Sequence, residues 1–280
     1  MKPLVLYHAN CWDGFCAAWV AKGALGDIDA HPAHYGTEPP DVSDRVVYLL
    51  DFSYPRQTMR DIIGRAKEVI VLDHHKTAQE ALGDLVDEAI QRPDLCPTRP
   101  GVVLPTIRFN MDKSGGRMAW EHFYPRAEGS PWLVDYTEDR DLWRHALPHS
   151  EEINAALRSY QLDFDLWSEF HQREPESFVV EGAAIRRRER QIVADHIRNA
   201  RLENFDGTHT VPIVNATVLF SEIAGELAEG HPFGACYFDR KDGKRQWSLR
   251  SRDGGVDVSE IAKVHGGGGH QQAAGFEEAI

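Results

Sequence analysis

Two stretches decide the fold, RVVYLLD (45–51) and EVIVLDHH (68–75). Each is a short apolar run rich in Val, Ile and Leu, too short for a buried helix, and each stops abruptly at an aspartate. A third run, LVLYH (4–8), ends in a histidine. None of the three alternates polar with apolar residues, which predicts strands covered on both faces. Helix-forming segments separate them: DGFCAAWVAKGALG (13–26) with a terminal glycine stop, YPRQTMRDIIGRA (54–66) with Pro55 in its first turn, and TAQEALGDL (77–85). TIRFN (106–110) adds a strand and SGGRMAWEHFY (114–124) a helix capped by Ser114. Strand–helix alternation of this kind predicts an α/β fold with a doubly wound, mostly parallel sheet. In such a sheet the C-terminal strand ends lie side by side where ligands bind.

Those ends carry His8, Asp51 and Asp73, with Asp13 opening the first helix and His74 and His75 following Asp73. Each residue alone has an ordinary explanation. His8 suits a strand end, Asp51 a helix N-cap, and a DHH triplet arises by chance. Together they gather carboxylates that repel and raise one another's pKa unless a cation intervenes. A buried carboxylate is otherwise expensive. Mixed oxygen and imidazole donors suit manganese, magnesium or iron better than thiolate-seeking ions.

The chain of 280 residues is 42% apolar and 27% charged, enough for two domains. A net charge of −13 argues against life on long duplex nucleic acid, which requires a basic surface. No window approaches the ~18 consecutive apolar residues of a membrane span. The opening MKPLVLYHAN enters a strand directly and lacks a signal-peptide pattern. Cysteines at 11, 16, 96 and 236 show no paired spacing, so the expected compartment is a reducing cytoplasm.

From 131 to 204 the pattern turns helical, and its arginine-rich end (186–201) reads as a solvated helix between domains. Beyond it, TVPIVNAT, GACYFDR and RQWSLRS read as strands, and SEIAGELAEG and DVSEIAKVHG as helices. The expected division is a catalytic domain over 1–175, a helical linker over 176–204 and a smaller α/β domain over 205–280. Within the last, HGGGGHQQAAGF (265–276) holds four consecutive glycines. They read as a loop whose amides approach an anion, leading into a helix N-terminus, with His270 at its mouth and Arg250 and Arg252 as guanidinium clamps.

At these residues the sequence resembles the DHH phosphoesterase superfamily, in the branch with a DHH-associated C-terminal domain that includes bacterial oligoribonucleases of the nano-RNase type. The motifs are HANCWDG (8–14), Asp51 in LLDFSY, LDHH (72–75), YTEDRDLW (136–143) and GGGGHQQAAGF. The resemblance implies a two-metal centre, most simply Mn²⁺, with Mg²⁺, Co²⁺ or Fe²⁺ as alternatives. His8 would bind the first ion, Asp51 would bridge both, and Asp13 and His74 would bind the second. Asp139 is preferred to Asp141 as its remaining ligand. Asp73 would orient a neighbouring ligand and His75 would contact the scissile phosphate or protonate the leaving group. Gly267, Gly268, Gly269 and His270, assisted by Arg250, would hold another phosphate. One departure stands out: Cys11 occupies a position, two before Asp13, where the family commonly has aspartate. A thiolate there would favour a softer ion; a small apolar role is the preferred reading.

The expected activity is metal-dependent hydrolysis of phosphodiester bonds in short oligonucleotides or related nucleotides. Alternatives are a cyclic-dinucleotide phosphodiesterase, an inorganic poly- or pyrophosphatase, and a non-catalytic nucleotide sensor. The expected partner is the nucleotide substrate, with a homodimer allowed and no membrane involved.

Overall fold

A computed structural model describes residues 1–87 and 104–280, so Cys96 lies outside the described residues. The chain divides into two compact units, Met1–Ala183 and Ala184–Ile280.

The first unit is built on a five-stranded, wholly parallel sheet of β1 (Leu4–His8), β2 (Asp29–Ala33), β3 (Val46–Leu50), β4 (Glu68–Asp73) and β5 (Thr106–Phe109), ordered β2-β1-β3-β4-β5. Successive side chains point to opposite faces. Val5, Leu50, Ile70 and Leu72 enter one core, whereas Leu4, Leu6, Val47, Leu49, Val69 and Val71 enter the other. Both faces must then be covered. On the first lie α1 (Trp12–Leu25), α4 (Gly115–Phe123), α5 (Trp132–Asp141), α6 (Ser150–Arg158) and α7 (Phe164–His171). On the second lie α2 (Arg56–Arg65) and α3 (Lys76–Leu82). The fold is the doubly wound α/β arrangement that the apolar runs predicted.

Strand β2 has no counterpart in the sequence reading. Its residues DAHPA carry no apolar run, and Pro32 cannot donate a ladder hydrogen bond. It succeeds only as an edge strand beside β1. Pro55 sits at the N-cap of α2, one residue earlier than expected. Ser114 caps α4 by accepting from the Arg117 amide at 3.2 Å.

The second unit opens within α8 (Val179–Ile197) and holds a six-stranded sheet. Its strands are β6 (Arg201–Asn204), β7 (Thr210–Asn215), β8 (Gly234–Asp239), β9 (Lys244–Arg250), β10 (Gly268–His270) and β11 (Ala273–Ala279), in the order β10-β11-β9-β8-β7-β6. All pairs are antiparallel except β7 with β8. Its helices are α9 (Phe220–Leu227) and α10 (Val258–Val264).

The glycine run corrects one expectation. The helix precedes it, and the glycines lead into the β10–β11 hairpin rather than into a helix N-terminus. A Cβ on Gly267 would lie 2.1 Å from the Gly275 carbonyl oxygen and 2.5 Å from Phe276 Cβ. Close backbone approach within the hairpin therefore requires glycine there, whatever else the segment binds.

Candidate metal centre

The C-terminal edge of the first unit's sheet gathers its acidic and imidazole groups in two clusters. His8, Asp51 and His75 form one; Asp13, His74 and Asp141 form the other, and in each the potential ligand atoms lie within 4.8 Å of one another. Their positions follow from the elements. His8 ends β1, Asp51 follows β3, Asp73 ends β4, and Asp141 ends α5. Asp51 adopts φ 54°, a left-handed conformation that aspartate tolerates better than most residues, while its amide donates to the Leu72 carbonyl at 2.9 Å. The turn aims the carboxylate back over the sheet edge instead of capping a helix.

The two clusters meet at His74. Its Nε2 lies 3.0 Å from Asp51 Oδ1, 3.6 Å from Asp13 Oδ2 and 3.6 Å from Asp141 Oδ2. A single N–H can serve one acceptor well; three converging carboxylate oxygens require a positive charge. Asp51 Oδ2 and His8 Nδ1 are buried, make no hydrogen bond and stand 3.5 Å apart, a spacing suited to two ligands of one cation. The donor set of carboxylate oxygens and imidazole nitrogens fits Mn²⁺, Mg²⁺, Fe²⁺ or Co²⁺.

Electrostatics bears the same mark. Burial raises the Asp13 carboxyl, Asp141 and Asp51 raise it further, and the result lies well above the usual range despite His74 and the Gly116 amide. Asp141 is also raised, by burial first and then by Asp51. Burial acts to raise Asp51 too, but the His74 hydrogen bond, the His8 imidazole and the His74 and His75 charges overcome it and hold the carboxyl well below the usual range. His74 moves well above the usual imidazole value: burial opposes this, and Asp51, Asp141 and Asp13 outweigh it.

Supporting contacts fix each ligand. Asp13 Oδ2 accepts from the Gly115 amide at 2.5 Å and Oδ1 from the Gly116 amide at 2.9 Å, both at the N-terminus of α4. A Cβ on Gly115 would lie 2.5 Å from Asp51 Cβ, so the helix can approach only with glycine there. Asp73 is fully buried. Its Oδ1 accepts from the His74 amide at 2.7 Å and from His75 Nδ1 at 2.7 Å, and its Oδ2 from the Ser53 hydroxyl at 2.6 Å. This fixes the His75 tautomer and directs Nε2 away from Asp73.

Asp139 does not join the clusters. Its carboxylate is buried and accepts the amides of Ala146 at 2.9 Å and Leu147 at 3.3 Å. Among the described residues it is Asp141, the alternative to the preferred Asp139, that lies with Asp13 and His74. Cys11 enters neither donor group among the described residues. Burial, then Asp51, Asp141 and Asp13, push its thiol well up. Sequence reasoning also missed Ser53, Gly115 and Gly116. The SGG triplet before an amphipathic helix was the available signal for the two glycines.

In the second unit, Arg250 donates to the Ser221 hydroxyl at 2.7 Å and to the Leu249 carbonyl at 2.8 Å. Gly268, Gly269 and His270 form β10, and Gly267 directly precedes it.

No protein-family model matches the chain. A DHH domain from a member of the S1p family of ribosomal proteins superposes with a TM-score of 0.57, at 12% identity, over 100% of this chain and 83% of that one. The chain has the DHH-domain fold. Also similar in fold is the pGpG-specific phosphodiesterase PggH from Vibrio cholerae, with a TM-score of 0.52 and 14% identity over 100% of this chain and 94% of that one. Among curated relatives, the uncharacterized protein R106 of Acanthamoeba polyphaga mimivirus is 28% identical over 98% of this chain. Oligoribonuclease NrnB of Bacillus subtilis is 34% identical over 32% of it. The chain spans 66% of the viral protein's length, and the match to the oligoribonuclease spans 21% of that enzyme. Among the described residues no helix is long and apolar enough to cross a membrane.

Proposed function

We propose that this chain is a divalent-metal-dependent phosphoesterase that hydrolyses phosphodiester bonds in short oligonucleotides or dinucleotides. The observation that carries the reading is the convergence of Asp13, Asp51 and Asp141 on His74 Nε2, beside the His8–Asp51–His75 cluster. In it Asp51 stands between the clusters and would be shared by two ions, with His8 on one side and Asp13, His74 and Asp141 on the other. Divalent ions held there would supply Lewis acidity for displacement at phosphorus, the chemistry that clustered carboxylate and imidazole donors suit.

The chain's own groups divide the remaining work. The α4 N-terminus holds Asp13 in one orientation, and Ser53 and Asp73 hold His75. Asp73 favours the charged form of His75, whose pKa is raised even though burial opposes it. Its Nε2 is the atom that would pass a proton to the leaving oxygen. Arg250, Gly267, Gly268, Gly269 and His270 are the phosphate-binding groups in this reading. Mn²⁺ is the preferred ion, the cytoplasm the expected compartment, and a homodimer compatible with it.

The similarity to an oligoribonuclease and to a pGpG-specific phosphodiesterase favours nucleotide substrates. The net charge of −13 favours short ones, since long strands need a basic track. The test is metal analysis of the purified chain combined with a substrate panel: labelled di- to pentanucleotides, a cyclic dinucleotide and tripolyphosphate. Mononucleotide release from the short oligomers, dependent on added Mn²⁺, is the expected result. Inertness toward every nucleotide with phosphate release from tripolyphosphate would overturn the substrate class, and nucleotide binding without turnover at any metal supplement would overturn catalysis.

A further inference from the structure

Just past the end of α5 the chain exposes a large ring. Trp143 follows Asp141 by two residues and is 44% exposed. Its backbone holds φ 56°, an uncommon and costly conformation for a bulky side chain. The Arg140 guanidinium lies over the ring, 4.2 Å from the centroid, and the His145 ring stands nearly perpendicular to it, with centroids 5.0 Å apart at 80°. The segment carrying it is tied down from behind. The Trp143 amide donates to the Arg140 carbonyl, the Arg144 amide to the Asp139 carbonyl, and the Asp139 carboxylate takes the Ala146 and Leu147 amides. Three non-glycine residues in this short stretch, Trp143, His145 and His149, have positive φ, so the surrounding contacts hold a strained loop in one shape.

We propose that Trp143 is a stacking platform for a nucleobase of the substrate, which deepens the phosphoesterase reading and rests on it. Two residues of chain span no more than about 7 Å, so the backbone that carries the ring starts within about one nucleotide's length of the Asp141 backbone. An indole already stacked on one side by a guanidinium presents a flat, electron-rich surface to a second planar partner. Stacking on aromatic rings binds any base and leaves the phosphate to the neighbouring polar groups. The buried Asp139 thereby gains a role, as the clamp that fixes the platform's position relative to Asp141. Trp143 would set affinity for the base and so the substrate's register over the centre.

The test compares Trp143→Phe with Trp143→Leu, which keeps apolar bulk and loses the π face. Both are assayed with pGpG and with the same dinucleotide made abasic at one position, reading Kd, KM and kcat separately. Mn²⁺ binding by each variant reports that the fold is retained. The expected result for Trp143→Leu is a rise of about tenfold or more in Kd and KM for pGpG, and a narrowed preference for pGpG over the abasic analogue. Trp143→Phe should restore most of both. An unchanged Kd for pGpG in Trp143→Leu, or an equal loss on pGpG and the abasic analogue, overturns the inference. A wild-type chain that binds pGpG with this base dependence but never cleaves it sinks the phosphoesterase reading alone. Cleavage without base dependence sinks the stacking alone, and neither binding nor cleavage sinks both.

Discussion

Exchanging carboxylate for amide at Asp139 and at Asp141 should separate support from coordination, because the two side chains differ in what they touch. Asp139 is buried, with both oxygens accepting backbone amides of the 146–147 turn. In Asp139→Asn one oxygen remains, and the new NH₂ must face a backbone N–H. A buried donor left unsatisfied costs about 1–3 kcal/mol. With a urea m-value of about 2 kcal/mol/M, that lowers the midpoint by about 0.5–1.5 M. Asp141 is the reverse case. Its carboxyl is raised by burial and by Asp51, so its charge is a burden on the metal-free fold at neutral pH. A raised carboxyl subtracts stability above its unfolded pKa, and Asp141→Asn should leave the midpoint in chelator unchanged or slightly higher.

Metal affinity should sort the pair in the opposite order. Losing a group that merely orients a ligand costs 10–100-fold in typical sites, so losing an inner ligand should cost about 100-fold or more, or about 2.7 kcal/mol. Asp141→Asn is therefore expected to weaken Mn²⁺ binding by that factor, and Asp139→Asn by far less. Urea titration with chelator and calorimetric Mn²⁺ titration read the two quantities independently. An Asp141→Asn protein that binds Mn²⁺ like the wild type would refute the reasoning. So would an Asp139→Asn protein that keeps its midpoint and loses the metal.

The raised His74 imidazole contributes stability fully present below about pH 6.5 and lost as pH rises through its elevated value. The urea midpoint of chelated protein should accordingly fall from pH 6.5 upward, and that of Mn²⁺-loaded protein should not; parallel curves would count against His74. Metal binding must displace protons held by these raised groups, so calorimetry in two buffers of different ionisation enthalpy should show net proton release on Mn²⁺ binding, and zero release would contradict the cluster's electrostatics. Gly115→Ala places a Cβ 2.5 Å from Asp51 Cβ. Overpacking there should cost about 1–3 kcal/mol and also weaken Mn²⁺ binding, whereas loss of stability with unchanged affinity would detach the α4 terminus from the site. Gly267→Ala forces a Cβ against the Gly275 carbonyl, and it should lower the stability of the chain without changing Mn²⁺ affinity.

The parallel sheet was legible because its strands obey one rule. Burial on both faces makes Val46–Leu50 and Glu68–Asp73 apolar almost throughout, and no other local structure explains such short runs. The edge strand Asp29–Ala33 escaped notice since an edge demands little of its residues. The glycine run misled for a related reason. Glycine signals close approach without saying to what, and here part of the answer is the chain's own hairpin. The strand-end residues His8, Asp51 and Asp73 to His75 were legible because sheet topology alone brings such ends together.

The fourth motif shows where that logic stops. Asp139 and Asp141 both lie in α5, two residues apart, and on a helix of 3.6 residues per turn they point about 200° from each other. Only one can face the strand ends, so the motif held a genuine choice. The usual signal for resolving it, an apolar stripe, is missing. Leu133, Val134, Tyr136, Thr137, Glu138 and Asp139 are all buried, and the helix has no clear solvent face over that span. Asp139 even looks the better candidate by burial alone. What distinguishes the two is the identity of their acceptor-hungry neighbours: backbone amides for Asp139, and an imidazole already shared with two carboxylates for Asp141. An anion satisfied by neutral amides needs no ion. One crowded by other anions is relieved by an ion, and on that difference in surroundings rests the proposal that Asp141, rather than Asp139, holds the metal.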